Sequence, residues 1–93
     1  MKLVYTDDAI EDLQRLRKFI AVHNPSDARR VAAELISKIQ LLPDFPRMGT
    51  QVELAPVPAS LRDMVFGKYV VRYSVHESVI IILRVWHELE GER

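Results

Sequence analysis

The sequence has no cysteine, which excludes disulfide staples, thiol catalysis and thiolate metal sites. Three glycines in 93 residues are too few for a phosphate-cradling loop, and no Gly-x-Ser-x-Gly elbow is present for acyl transfer. No run approaches the ~20 apolar residues of a membrane span. Neither charge is in excess: 13 Lys+Arg stand against 13 Asp+Glu. That weakens any reading that needs a broadly basic surface on nucleic acid. The 3 histidines are scattered, and Asp7, Asp8, Glu11 and Asp12 lack metal-loop spacing, so neither a metal site nor a cofactor is expected. The opening Met1-Lys2-Leu3-Val4-Tyr5-Thr6-Asp7-Asp8 turns acidic before a signal-peptide core could form. A soluble, cytoplasmic protein without membrane association is the expectation.

What is present is an ordinary globular chain, 48% apolar and 28% charged, expected to form a single domain over residues 1–93. Lys2 to Tyr5 reads as a short strand. Thr6 follows as a helix N-cap, with Asp7, Asp8, Glu11 and Asp12 suited to the positive end of the helix dipole. Ala9, Leu13, Leu16 and Ile20 recur at helical spacing, which predicts a helix from Asp7 to about Val22. His23 to Asp27 is a break in which Asn24 can cap and Pro25 fits a first helical position. A second helix is expected from Pro25 to about Leu42, with Ala28, Val31, Leu35, Ile39 and Leu42 inward and Ala32 and Ile36 widening the stripe. Arg30, Glu34 and Lys38 form a ladder on its wet side.

Pro43, Pro46, Gly49, Pro56 and Pro58 mark a long irregular segment in which Val52 to Leu54 is a candidate strand. The last third is β. Leu61 to Val65 is a strand and Gly67-Lys68 a turn. Tyr69 to Val75 is a strand in which Tyr69, Val71, Tyr73 and Val75 oppose Val70, Arg72 and Ser74. His76-Glu77-Ser78 is a short connection. The apolar, mostly β-branched run Val79 to Leu83 predicts a central strand covered on both faces, continuing through Trp86. The polar tail from His87 to Arg93 is expected to fray. The sum is an α+β domain: an N-terminal strand and an antiparallel helix hairpin packed on one face of a small, mostly antiparallel sheet. The other face is left as a candidate for partner binding.

The ordered set Ala9-x-x-Asp12-Leu13, Ile20-Ala21-x-x-Asn24-Pro25, Ala28, Ile36, Pro46-x-x-Gly49, Leu61-Arg62, Gly67-x-Tyr69-x-x-x-Tyr73 and Ile82-Leu83-Arg84-Val85-Trp86-His87 resembles the ParE/RelE toxin superfamily, and its ParE branch above all. The resemblance spans nearly the whole chain. It implies a toxin of a type II toxin–antitoxin system, in a hetero-oligomer with a co-encoded ParD-like antitoxin. The antitoxin's disordered segment would fold onto the toxin's helices and sheet. The ParE branch is known for inhibiting DNA gyrase without an enzymatic step. The alternative is the RelE type, a ribosome-dependent mRNA endoribonuclease.

RNA cleavage through the 2′-hydroxyl needs a base, a phosphate-binding cation and an acid for the leaving oxygen. Aligning Tyr73 with the family's strand-end tyrosine puts Val70 where RelE-like toxins carry an arginine, and a valine cannot bind phosphate. Arg62 is the only cation between Gly49 and Gly67. Both features imply the gyrase-inhibiting branch. The nuclease alternative would rest on Arg62, Arg84 and His87. The candidates for contact with target or antitoxin are Val70, Arg72, Arg84, Trp86 and His87. Arg84 equally reads as a structural cation paired with Glu53, Asp63 or Glu88. Trp86, taken on the alternation of Ile80, Ile82 and Arg84, reads as core or as a binding anchor.

Overall fold

The computed structural model describes residues 1–52 and 61–92. The chain runs β1 (Lys2–Tyr5), α1 (Asp7–His23), α2 (Ala28–Ile39), β2 (Thr50–Gln51), β3 (Leu61–Phe66), β4 (Tyr69–Val75) and β5 (Val79–His87). Among the described residues the strands form one sheet of order β1-β5-β4-β3-β2. β1 runs parallel to β5, and the other neighbours are antiparallel. The helix hairpin covers one face. Leu16, Leu35, Ile39 and Leu42 meet Met64, Val71, Tyr73, Ile80, Ile82 and Val85 in a single buried cluster. This is the α+β arrangement that the residue pattern implies.

Thr6 is the hinge between β1 and α1. Its hydroxyl accepts the Ala9 amide at 3.0 Å and donates to the Leu83 carbonyl at 2.9 Å. One side chain therefore caps the helix and docks it on β5, where the cap alone contributes about 1 kcal/mol.

The second helix is shorter than its apolar stripe suggests. Asn24 ends α1, its amide bonding the Ile20 carbonyl, and α2 begins only at Ala28. Pro25 therefore lies in the connection and not at a first helical position. Beyond Ile39 the chain tightens: Leu41 and Leu42 bond the carbonyls three residues back. Pro43 has no N–H to continue the ladder, and it pushes the residue before it out of helical geometry. Leu42 still reaches the core at 0% exposure.

Three further expectations change. The strand expected at Val52 to Leu54 is found at Thr50–Gln51, with the Val52 amide bonded to the Leu61 carbonyl; Glu53 and Leu54 lie outside the described residues. The strand β5 is an inner strand as expected, paired with β1 and β4, but its two faces are unequally covered. Ile80 and Ile82 are buried, while Val79, Ile81 and Leu83 are half-buried. The run of apolar residues thus reflects one covered face and one partly covered face. The tail is tethered, not frayed: the Glu88 amide bonds the Lys68 carbonyl, Glu90 pairs with Arg15, and Glu92 pairs with Arg72.

The register also slips once. Arg72 faces Arg84, but Tyr73 faces Ile82, which leaves Leu83 as an extra residue on β5. Such a bulge re-aims the side chains beyond it. Val85 therefore shares the core face with Ile80 and Ile82. Trp86 moves to the opposite face, beside its cross-strand neighbour Val70. The simple alternation that put Trp86 with Ile80 and Ile82 fails at this one residue.

Candidate functional site

The bulge creates the first cluster of charge. Asp12 lies on the inward stripe of α1, and its side chain is 1% exposed. Its Oδ2 accepts from Arg84 Nε at 2.8 Å and from the Val85 amide at 2.9 Å. Its Oδ1 accepts from Arg84 Nη2 at 3.0 Å and from Arg15 Nη1. Burial pushes this carboxyl's pKa up, but the two guanidiniums and the amide outweigh burial and lower it to about 2. Arg15 continues the network to the Val85 carbonyl at 3.0 Å and to Glu90 at 2.8 Å. Glu90 in turn accepts the His87 amide at 3.0 Å. The mate of Arg84 is therefore Asp12; Asp63 is engaged elsewhere, and Glu53 lies outside the described residues.

The second cluster fixes the loop before β2. Tyr73 is fully buried, and its phenol accepts the Gly49 amide at 2.9 Å and donates to the Pro46 carbonyl at 2.8 Å. Burial raises its pKa, so it stays a neutral donor. Arg62 Nη1 donates to the Gly49 carbonyl at 2.6 Å. A Cβ on Gly49 would lie 2.7 Å from the Asp63 carbonyl oxygen, so only glycine lets the loop approach this closely. The spacing Pro46-x-x-Gly49 with Tyr73 is thus one clamp.

Arg72 and Trp86 lie on the sheet face opposite the helices. Asp63 takes Arg72 Nε and Nη2 in a bidentate pair at 2.9 and 3.0 Å. The guanidinium carbon sits 5.1 Å from the Trp86 ring centroid, a cation–π contact. Val70 is half-buried between Val65 and Trp86 in the cross-strand row.

His87 ends β5 at 7% exposure, edge-on to Tyr69 at 4.9 Å and 5.0 Å from Phe19. Its Nδ1 accepts the Leu89 amide at 3.1 Å, so the hydrogen-bond pattern assigns the ring proton to Nε2. Arg62 and His87 are not brought together. Their partners on β4, Tyr73 and Tyr69, are four positions apart, a separation of about 13 Å along a strand.

A different feature was not foreseen. Tyr5, Ile10, Leu13, Arg17, Ala32 and Ile36 border an apolar groove of about 370 Å³ on the helix hairpin. Ile10 is 44% exposed there, and the residue that signals it is this one isoleucine off the inward stripe.

Residues 3–90 match the family model of the ParE toxin of type II toxin–antitoxin systems. The chain belongs to this family. The chain is also similar to Toxin RelE2 of Caulobacter vibrioides, 33% identical over 87 residues, which cover 92% of this chain and 93% of that one. Its fold matches the chromosomal ParDE system of P. aeruginosa with a TM-score of 0.76 at 21% identity, over 94% of this chain and 95% of that one. It also matches the RelBE2 toxin–antitoxin complex of Mycobacterium tuberculosis, with a TM-score of 0.66 at 24% identity over 92% and 95% of the two chains. This ParE-family chain is thus a type II toxin of the ParE/RelE superfamily. Among its described residues, no helix is long and apolar enough to cross a membrane.

Proposed function

We propose that this toxin inhibits DNA gyrase by binding it, and that a co-encoded ParD-like antitoxin neutralises it. The observation that carries the reading is the occupation of the strand arginines by the protein's own groups. Arg84 is paired with the buried Asp12 and Arg72 with Asp63 in bidentate contacts, and Arg62 is directed at the Gly49 carbonyl. A nuclease needs at least one such cation presented to a scissile phosphate, together with a base and an acid within hydrogen-bond reach of the reacting oxygens. The spread of Arg62 and His87 along the sheet supplies no such pocket. The groove on the helix hairpin has the apolar lining that an amphipathic partner segment seeks, and such a segment would order on binding.

The similarity to a protein named RelE2 and the placement of His87 at the end of the last strand favour a second reading, a ribosome-dependent endoribonuclease. Supercoiling by purified gyrase separates the two. Added toxin is expected to block supercoiling and to trap gyrase on cleaved DNA. Unaltered supercoiling, with no trapped complex at excess toxin, overturns the gyrase reading.

A further inference from the structure

Charge is lopsided along the helix-hairpin groove. Asp7, Asp8 and Glu11 stand at the start of α1, and Arg17 and Lys18 follow about two turns later. One turn to either side of these two cations the helix offers Leu13, Gln14, Arg15, Ile20, Ala21 and Val22, none of them acidic. Among the described residues, neither Arg17 nor Lys18 has a hydrogen-bond or ion-pair partner. Other arginines of the hairpin are matched: Arg15 pairs with Asp12, and Arg30 with Glu34. The surplus positive charge therefore sits at one place, and Arg17 is also part of the groove wall. At the other end Ile10 is 44% exposed. Ile10 and Arg17 are seven residues apart, on one face of α1 and about 10 Å along it. The groove, about 370 Å³, lies at the small end of the usual range for small-molecule sites, roughly 300–1,000 Å³. A short apolar trough ending in two unpaired cations matches one alkyl chain with an anionic head.

We propose that the groove binds a single-chain carboxylate, a free fatty acid, with its alkyl chain over Ile10, Leu13 and Ile36 and its carboxylate at Arg17 and Lys18. The acids at the start of α1 set the orientation, because they repel the head from that end. Binding of this kind requires neither target nor antitoxin. A carboxylate in the groove competes with an antitoxin segment seated there, and that consequence alone rests on the proposed function.

The probes are hexanoate, octanoate and decanoate, each held below its aggregation concentration and titrated into the full-length protein while amide chemical shifts are followed. Shifts are expected at Ile10, Leu13, Arg17 and Ala32. Each added pair of methylenes should tighten binding up to about tenfold while the groove has room. Arg17 is exposed, so Arg17→Gln keeps the fold, which cooperative melting checks. This variant should bind octanoate about two- to fivefold more weakly than the parent, the range that an exposed ion pair allows, and octanol equally well. No gain with chain length, octanoate affinity unchanged in Arg17→Gln, or octyltrimethylammonium binding as tightly as octanoate would each overturn the proposal. Binding seen only to aggregates or to anionic vesicles would make this face a membrane contact and overturn it as well. The assay contains neither gyrase nor antitoxin, so its failure and a failure of the toxin reading are distinguishable.

Discussion

Replacing Asp12 by alanine is expected to destabilise the toxin by about 3–5 kcal/mol, the usual cost of removing one partner from a buried ion pair. For a domain of this size, total stability is about 5–15 kcal/mol, so the loss is a large share. The reason lies in what remains. The Arg84 and Arg15 guanidiniums and the Val85 amide all converge on the missing carboxylate. The bulge then loses the group that ties β5 to α1. Thermal unfolding should show a fall in Tm of more than about 10 °C.

The same carboxylate sets an acid dependence. Its folded pKa of about 2 lies below the ordinary 3.8, so the unfolded chain binds the proton first. Its contribution is complete above pH 3.8 and is lost as the pH falls toward 2. A shift of that size corresponds to roughly 2 kcal/mol. The stability gap between the parent protein and Asp12→Ala should therefore narrow across this window. A gap that stays constant from neutral pH to pH 2 contradicts the role given to Asp12.

The second large effect belongs to the Tyr73 clamp. Tyr73→Phe leaves the Gly49 amide and the Pro46 carbonyl without their phenol, at a cost of about 1–3 kcal/mol for each group left buried and unsatisfied. Gly49→Ala drives a methyl against the Asp63 carbonyl and the Tyr73 hydroxyl, an overpacking cost of about 1–3 kcal/mol. The two losses should not add. Once the phenol is gone, the loop is free to move away and the methyl meets less resistance. Denaturant unfolding of both single variants and the double variant is expected to show a coupling of at least about 0.5 kcal/mol. Strict additivity would show that Gly49 and Tyr73 do not act as one clamp.

Most of the architecture was readable because periodicity and caps agree along the chain. Thr6 capped the helix that the Ala9–Leu16–Ile20 stripe required, and the period-two pattern from Tyr69 to Val75 marked β4 to the residue. The hidden parts were those in which one residue serves two elements. Asn24-Pro25 looks like the start of α2, but Asn24 is spent on closing α1. The bulge at Leu83 leaves no mark in a run that is apolar throughout, so the face of Trp86 was misjudged. Asp12 had a usable signal: it falls three residues after Ala9 and four before Leu16, on the inward stripe. A carboxylate there demands a buried cation, and Arg84, a charge inside an apolar strand, is the other half of that demand. The tethers of the tail depend on Arg15 and Arg72 being brought to the end of β5 by the fold, which no local pattern encodes.

We propose gyrase, and not RNA, as what this family member attacks in cells. The most direct test is induced expression in one culture with two readings taken together: gyrase-dependent double-strand DNA breaks, and the integrity of ribosome-bound mRNA. Broken DNA and arrested replication are expected while messages stay full length. Messages cut at ribosome-positioned sites, with chromosomal DNA intact and supercoiling normal, would contradict it.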